Sequence, residues 1–385
     1  MSENTLSIIY DNTLVKLYKF ESTNGVNEYY LMLSLTDDTL TYKEQQDRIL
    51  EKYKDITKSN FYSQLQHLSE AKPVFINFFL SDAANQKSVL DKAIKDKECA
   101  ISIVQQPPLN GTKIAMLAIL MTNTTNLKVD EHLFKASHNG YDELWSTDNK
   151  AEGISSLEQT QRVFSNYVNI LKENGCTLAD NCFRTWLYVN DIDNQYAGVV
   201  EGRNDIFDEE GLTNDTHFIS STGIGGRDAN PKVLCKMNAI AIKGIRAEQI
   251  HYLYALDKLN RTSEYGVRFE RGSYIDFDER RRVYISGTAS IDNKGNVLYE
   301  GDIRKQTERM LENIEALLEE ANCTFEHVAE ITVYLRDIAD YKVVDNIFND
   351  KFANTPYIIV NAPVCRPGWL IEAECIALRN ISKKE

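Results

Sequence analysis

Two stretches of the chain repeat one order of apolar and polar positions. In 306–332 (QTERMLENIEALLEEANCTFEHVAEIT), Met310, Leu311, Ile314, Leu317 and Leu318 recur three and four apart, which predicts a helix buried on one face and ending near Asn322. VAEITVYL, rich in β-branched and aromatic residues, then predicts a strand, and Val343, Val344, Ile347, Phe348 and Phe352 predict a second helix. Closing strands are expected over 357–364 and 369–378, and an opening hairpin over 282–302 that turns at Asn-Lys-Gly-Asn. The earlier stretch, 159–185 (QTQRVFSNYVNILKENGCTLADNCFRT), lies at a constant offset of 147 and shares nine identities in 27 positions, among them Gln159, Arg162, Cys176 and Thr185 with Gln306, Arg309, Cys323 and Thr332. After a shift of one residue YVNDI (188–192) matches YLRDI (334–338). A strand CFRTWLYV, a helix carrying Val199, Val200, Ile206 and Phe207, and closing strands over 217–222 and 233–242 complete the earlier copy.

This order of elements describes an α+β module with helices packed on one face of a mixed sheet. Two tandem modules follow, over 1–243 and 244–385. The opening strands of the first must come from upstream, with candidates at 73–82, 99–105 and 113–122. The first 70 residues read as a strand pair and a helix (42–68) added to that module. No Pro-rich or Gly/Ser-rich linker divides the halves, so tight packing is expected.

Charge and cysteines narrow the function. With 43 basic and 57 acidic residues the 385-residue chain carries a formal charge of −14, which would repel a phosphate backbone, and no dense basic run offsets it. Nucleic acid is therefore not an expected partner, whereas a small carboxylated metabolite is, because one or two arginines in a cleft suffice. MSENTLSIIYDNT does not read as a signal peptide, and the longest apolar run, 114–121, is too short to span a bilayer, so a cytoplasmic protein without a membrane partner is expected. Seven scattered cysteines without a CxxC pair, and six isolated histidines, predict free thiols, no metal and no cofactor.

The second module resembles the YjgF/RidA family over almost its whole length, through VYISGTASID, EGDIRKQTERMLENIEALLEEANCTFEHVAEITVYLRDIADY and IEAECIAL. The resemblance implies a chorismate-mutase-like fold and a cleft where one module meets the next. Enamine/imine deaminases of that family grip the substrate carboxylate with an arginine on the first closing strand. Ile358 stands at that place here, which disfavours this activity, while the family's glutamate on the last strand maps to Glu372. The C-terminal two-thirds is similar to the chorismatase branch, in which modules are fused, through FRTWLYVNDID, STGIGG, YGVRFERGSYI, SGTASI and VCRPGWLIEAE. Chorismatases hydrolyse the enolpyruvyl ether of chorismate and release pyruvate. After SGTASI that branch tends to carry a histidine-containing segment, whereas this chain reads IDNKGNVLYEGD. Relatives form trimers of single modules, so a homo-oligomer, or a pseudo-symmetric assembly of the fused chain, is expected.

Candidate chemistry gathers on the last strand, where Glu372 and Glu374 share one face. Aligning CKMNAIAIK (235–243) with IEAECIALR (371–379) sets Lys236 opposite Glu372 and Asn238 opposite Glu374, as in a duplicated site of which one copy kept the chemistry. A solvated strand face explains the two carboxylates equally simply. As an enol-ether hydrolase, the protein would use Glu372 as general acid, its pKa raised by an apolar pocket or by Glu374. Arg366 and Arg271 are the candidate carboxylate clamps, and Tyr265, Gly266, Ser286, Gly287, Thr288 and Cys365 the candidate pocket lining. Arg268 reads as a surface charge, the run Glu279 to Arg282 (ERRR) as a solvated turn, and Trp186 and Tyr188 as core. STGIGG is too short for a dinucleotide fingerprint. The rival to a catalyst is a family member that binds a metabolite and regulates something else.

Overall fold

The computed structural model describes residues 4–23, 25–58, 68–95 and 98–381. They form three six-stranded sheets of one topology. The first holds β1 (Thr5–Tyr10), β2 (Thr13–Phe20), β3 (Glu28–Leu35), β4 (Lys72–Leu80), β5 (Ala100–Gln105) and β6 (Ile114–Met121). The second holds β7 (Thr125–Lys128), β8 (Leu133–His138), β9 (Tyr141–Asn149), β10 (Cys182–Val189), β11 (Ser220–Gly225) and β12 (Cys235–Lys243). The third holds β13 (Ile250–Leu253), β14 (Gly272–Phe277), β15 (Arg280–Ala289), β16 (Val328–Leu335), β17 (Tyr357–Asn361) and β18 (Ile371–Asn380). In spatial order each runs first, second, third, sixth, fourth, fifth, and the fourth and fifth strands pair in parallel. A parallel pair needs a crossover, supplied by the helices Ala83–Ile94, Ile192–Glu209 and Tyr341–Lys351.

The α+β class stands, and the expected helices bury the faces their spacing implied: Met310, Leu311, Ile314, Leu317 and Leu318 are all within 3% of full burial. Three details differ. Residues 1–243 contain two sheets rather than one sheet with an added segment. The strands at 73–82, 99–105 and 113–122 belong to the first sheet, and the middle module opens on β7 to β9, of which β8 and β9 (LFKASH, YDELWSTDN) are more polar than the three apolar candidates. The opening hairpin of the last sheet is β14–β15, not 282–302. β15 already has β14 and β18 on its two edges, so the segment after it folds back through a single Ile291–Val297 bridge. Finally, the one-residue shift between the copies falls in the turn before the strand, which is a four-residue helical turn at Leu178–Asn181 and a three-residue 3-10 turn at Phe325–His327. Thr177 and Thr324 cap these turns through their hydroxyls. The strand registers consequently match Arg184 with Glu330, and Trp186 rather than Thr185 with Thr332.

The sheets close a ring through short bridges: Gln105 with Arg227 joins the first to the second, Ile224 with Val364 the second to the third, and Pro108 with Val360 the third to the first. At the middle lies the run expected to be a solvated turn. Arg280 and Arg282 are at most 1% exposed. The Arg282 guanidinium donates to Glu28 of β3 (2.7 and 3.1 Å) and to Glu143 of β9 (2.9 Å), and Arg280 Nε donates to Glu28 (2.7 Å). The register places Glu28, Glu143 and Arg282 at equivalent points of the three sheets, so one cation and two carboxylates meet on the pseudo-threefold axis. Their partners are over a hundred residues apart in sequence, which is why the run alone looks like surface.

Candidate active site

A cavity of about 550 Å³ lies between the second and third sheets. Its floor is β18, and β11, the helix Ile192–Glu209, the loop before β14 and the turn before β18 surround it. Glu372, Arg271, Arg366, Gly266, Gly287 and Cys365 all line it. The glutamate and the two arginines proposed as clamps therefore share one cleft.

Glu372 sits mid-sheet, paired with Ala289 of β15 and Tyr334 of β16, and is 5% exposed. Burial, reinforced by the Glu374 carboxylate, pushes its pKa up from the ordinary 4.5 to about 8, against the pull of Arg271 and Arg184. The carboxyl is thus protonated at neutral pH. Gly287 makes room for it: β15 bulges between Ile285 and Thr288, and a Cβ on Gly287 would overlap Glu372 Oε1. The Gly287 amide donates to Thr222 Oγ1 (2.9 Å), which fixes the bulge to β11 of the second sheet.

Glu374, two residues on, has a different environment. Arg184 of β10 pairs with it at 2.6 Å and Trp186 Nε1 donates to it at 2.7 Å. A third carboxyl, Glu330 on β16, lies in the same field, and burial together with Glu374 raises its pKa to about 8. The cluster therefore separates into Glu374, which holds the Arg184 ion pair, and Glu330 and Glu372, which stay protonated.

Arg271 is 3% exposed and donates to the carbonyl and Oδ1 of Asn260 (3.2 and 3.1 Å), which orients its guanidinium. Arg366 is half-buried beside the Trp369 ring, 5.1 Å from its centre. Cys365 is a wall group whose pKa burial pushes up to about 12, so it is a thiol at neutral pH. Ser286, Thr288 and Glu374 support the cavity without lining it: Ser286 Oγ donates to the Glu270 carbonyl (2.7 Å) and accepts from the Ser221 amide (3.0 Å), while Thr288 Oγ1 donates to the Ser286 carbonyl (2.9 Å). The side chain of Tyr265 lies outside the described residues.

Other lining groups escaped the sequence reading. Arg268, expected at the surface, lines the cavity and pairs with Asp208. Arg203 and Asn204 enter from the helix Ile192–Glu209, where the only available signal was an arginine on the otherwise apolar face of Val199, Ile206 and Phe207. Ile358, read as the lost carboxylate anchor, faces a different cavity, between the third and first sheets. In the Glu372 cleft the equivalent place on β11 is Thr222, because Trp186–Thr222 and Thr332–Ile358 are corresponding pairs.

Among the described residues no helix is long and apolar enough to cross a membrane. A family model described as endoribonuclease L-PSP matches residues 272–379. A RutC family protein of Pyrococcus abyssi is 34% identical over 99 residues, covering 25% of this chain and 78% of that protein. A 3-hydroxybenzoate synthase of Streptomyces hygroscopicus is 26% identical over 243 residues, 57% of this chain and 69% of that protein. A chorismatase crystal structure superposes with a TM-score of 0.62 at 18% identity, covering 80% of this chain and 93% of the other. The match over 272–379 spans β14 to β18, while the longer ones reach into the other sheets, and on these grounds the chain belongs to the YjgF/RidA superfamily and is similar to its chorismatase branch.

Proposed function

We propose that the protein is an enzyme that hydrolyses an enolpyruvyl ether of a small carboxylated metabolite, chorismate being the first candidate, in the cleft between the second and third sheets. The observation that carries this reading is a protonated, buried Glu372 facing a cavity that Arg271 and Arg366 also line. Hydrolysis needs a proton on the methylene carbon of the enol ether. Glu372 gives it, leaving an oxocarbenium ion that water captures; the water's proton returns to the carboxylate, and the hemiketal collapses to pyruvate and the ring alcohol. Arginine suits both substrate carboxylates because its fork matches a carboxylate in two hydrogen bonds. The similarity to a 3-hydroxybenzoate synthase and to a chorismatase supports the same class of substrate.

Incubation with chorismate should release pyruvate, read by a coupled lactate dehydrogenase assay; no release from a folded protein overturns the reading. Arg366→Ala should raise KM about 10- to 100-fold, since a hydrogen bond to a charged group contributes about 1.5–3 kcal/mol. Gly287→Ala should instead lower kcat, by about 100-fold if the carboxyl is displaced by about 1 Å, with KM little changed. A displaced Glu372 side chain in the crystal structure of that variant would accompany the loss.

A further inference from the structure

Three equivalent clefts follow from three sheets in a ring, and they have diverged. Between the first and second sheets, Lys236 occupies the place of Glu372. Its ammonium meets Asp148 (3.0 Å), Asp228 (3.6 Å) and the Ile103 carbonyl, and Asn238, in the place of Glu374, donates to Ser102 Oγ (2.8 Å). That cleft carries its own ion cluster. The cleft between the third and first sheets keeps a cavity of about 320 Å³, with β2 and β3 on one side and β17 and the helix Tyr341–Lys351 on the other.

Register identifies what corresponds there. In each sheet the fourth strand bulges near its start, and Phe75, Arg184 and Glu330 then pair with Ile119, Ile240 and Ile376. Counting from those pairs across the sheet makes Leu17, Leu133 and Gly272 equivalent, and so Lys16, His132 and Arg271 as well. Lys16 is thus the counterpart of the clamp Arg271, and it lines its cavity as Arg271 does. Lys16 is 4% exposed, its ammonium lies 3.7 Å from the centre of the Tyr357 ring, and it has no hydrogen-bond partner among the described residues.

We propose that this cavity is a second ligand site, which takes a small aromatic monocarboxylate with its carboxylate on Lys16 and its ring against Tyr341 and Tyr357. A buried ammonium without a hydrogen-bonding partner is costly, and a carboxylate removes that cost. Leu14, Leu35, Ile358 and Ile359 give the remaining wall an apolar character suited to a ring. One cation selects a monoanion, because Asp345 lies on the same cavity and would repel a phosphate dianion. The Asp345 carboxylate is already held by Asn349 and Tyr341, and the Tyr357 hydroxyl donates to Asn349 Oδ1 (2.7 Å). Burial lowers the Lys16 pKa to about 8, Asp345 opposing, so the group remains mainly an ammonium at pH 7. Ala115 and Leu117 stand where Glu372 and Glu374 stand in the other cleft, so this site binds without an acid to carry chemistry.

Crystals of the full chain soaked with 4-bromobenzoate test the proposal through the bromine anomalous signal. The expected signal lies beside Lys16 and Tyr357, persists in Lys16→Arg and disappears in Lys16→Met. In solution, 4-bromobenzoate should raise the melting temperature of Arg366→Ala, in which the Glu372 cleft is weakened, and not that of Arg366→Ala/Lys16→Met. Methionine fills the volume of lysine and removes a buried charge, so the Lys16 variant should fold; its melting curve without ligand verifies this. Bromine only in the Glu372 cleft, a signal unaffected by Lys16→Met, or density without stabilisation in solution would each overturn the second site. Pyruvate release from chorismate is read independently and bears on the other cleft alone.

Discussion

Glu372→Gln should abolish pyruvate release while leaving the fold and the binding of substrate in place. General acid catalysis contributes about 10²- to 10⁴-fold, and kcat should fall by that range. Glutamine has the shape and neutrality of the protonated acid but no proton to give, so KM should change little. The wild-type rate should be level below pH 8 and decline as Glu372 ionises through about 8. Because Glu330 titrates in the same range and both feel Glu374, that limb belongs to the carboxyl cluster as a whole. Stability supplies a second readout. The folded-state pKa is raised above the ordinary 4.5, so the contribution of this group is fully present below about 4.5 and lost as pH rises through about 8. Glutamine has no such dependence. The variant should therefore match or exceed the wild type in melting temperature at pH 9 while being the slower catalyst. A variant as active as the wild type, or one whose lost activity tracks unfolding, would remove Glu372 from the proposed role.

The helices and the strands around Glu372 were legible because their apolar periodicity is local. The spacing of Met310 to Leu318 dictates which face is buried whatever the helix meets later. Glu372 was singled out through the resemblance to the YjgF/RidA family, and the comparison of copies added that Lys236 and Asn238 replace the carboxylate pair in the middle sheet. The first sheet was not legible, because β1 to β6 share topology with the other two without the QTxR…CT identities that revealed the later pair. Arg184 could not be assigned from its own strand, where every residue is buried. Its meaning lies in Glu374, 190 residues away, across a boundary between sheets. The same physics misplaced ERRR: a charge run is a solvated face unless carboxylates from elsewhere meet it inside, and Glu28 and Glu143 do.

That inner triad carries the other large effect. Arg282→Met should destabilise the protein by about 3–5 kcal/mol, the usual result of removing one partner from a buried ion pair. Against the effect of their burial, Arg282 lowers the pKa of both Glu28 and Glu143, with Arg280 adding to it at Glu28 and His138 at Glu143. Without it two buried carboxylates face each other with Arg280 on one and His138 on the other (Nε2 to Glu143, 2.7 Å). Methionine supplies the volume and none of the charge. The loss should shrink as pH falls, because protonating Glu28 and Glu143 relieves the variant while the wild type loses its paired carboxylates. Replacing all three residues, Glu28→Leu, Glu143→Leu and Arg282→Met, should recover most of the stability, since an apolar core of equal volume avoids desolvating three ions. Chemical denaturation of both variants at pH 7.5 separates the possibilities. If the single variant is as stable as the wild type, the triad does not hold the three sheets together. If the triple variant is no better than the single one, the loss comes from packing and from the hydrogen bonds of Tyr30, Trp145 and His138 to the two glutamates, not from unpaired charge.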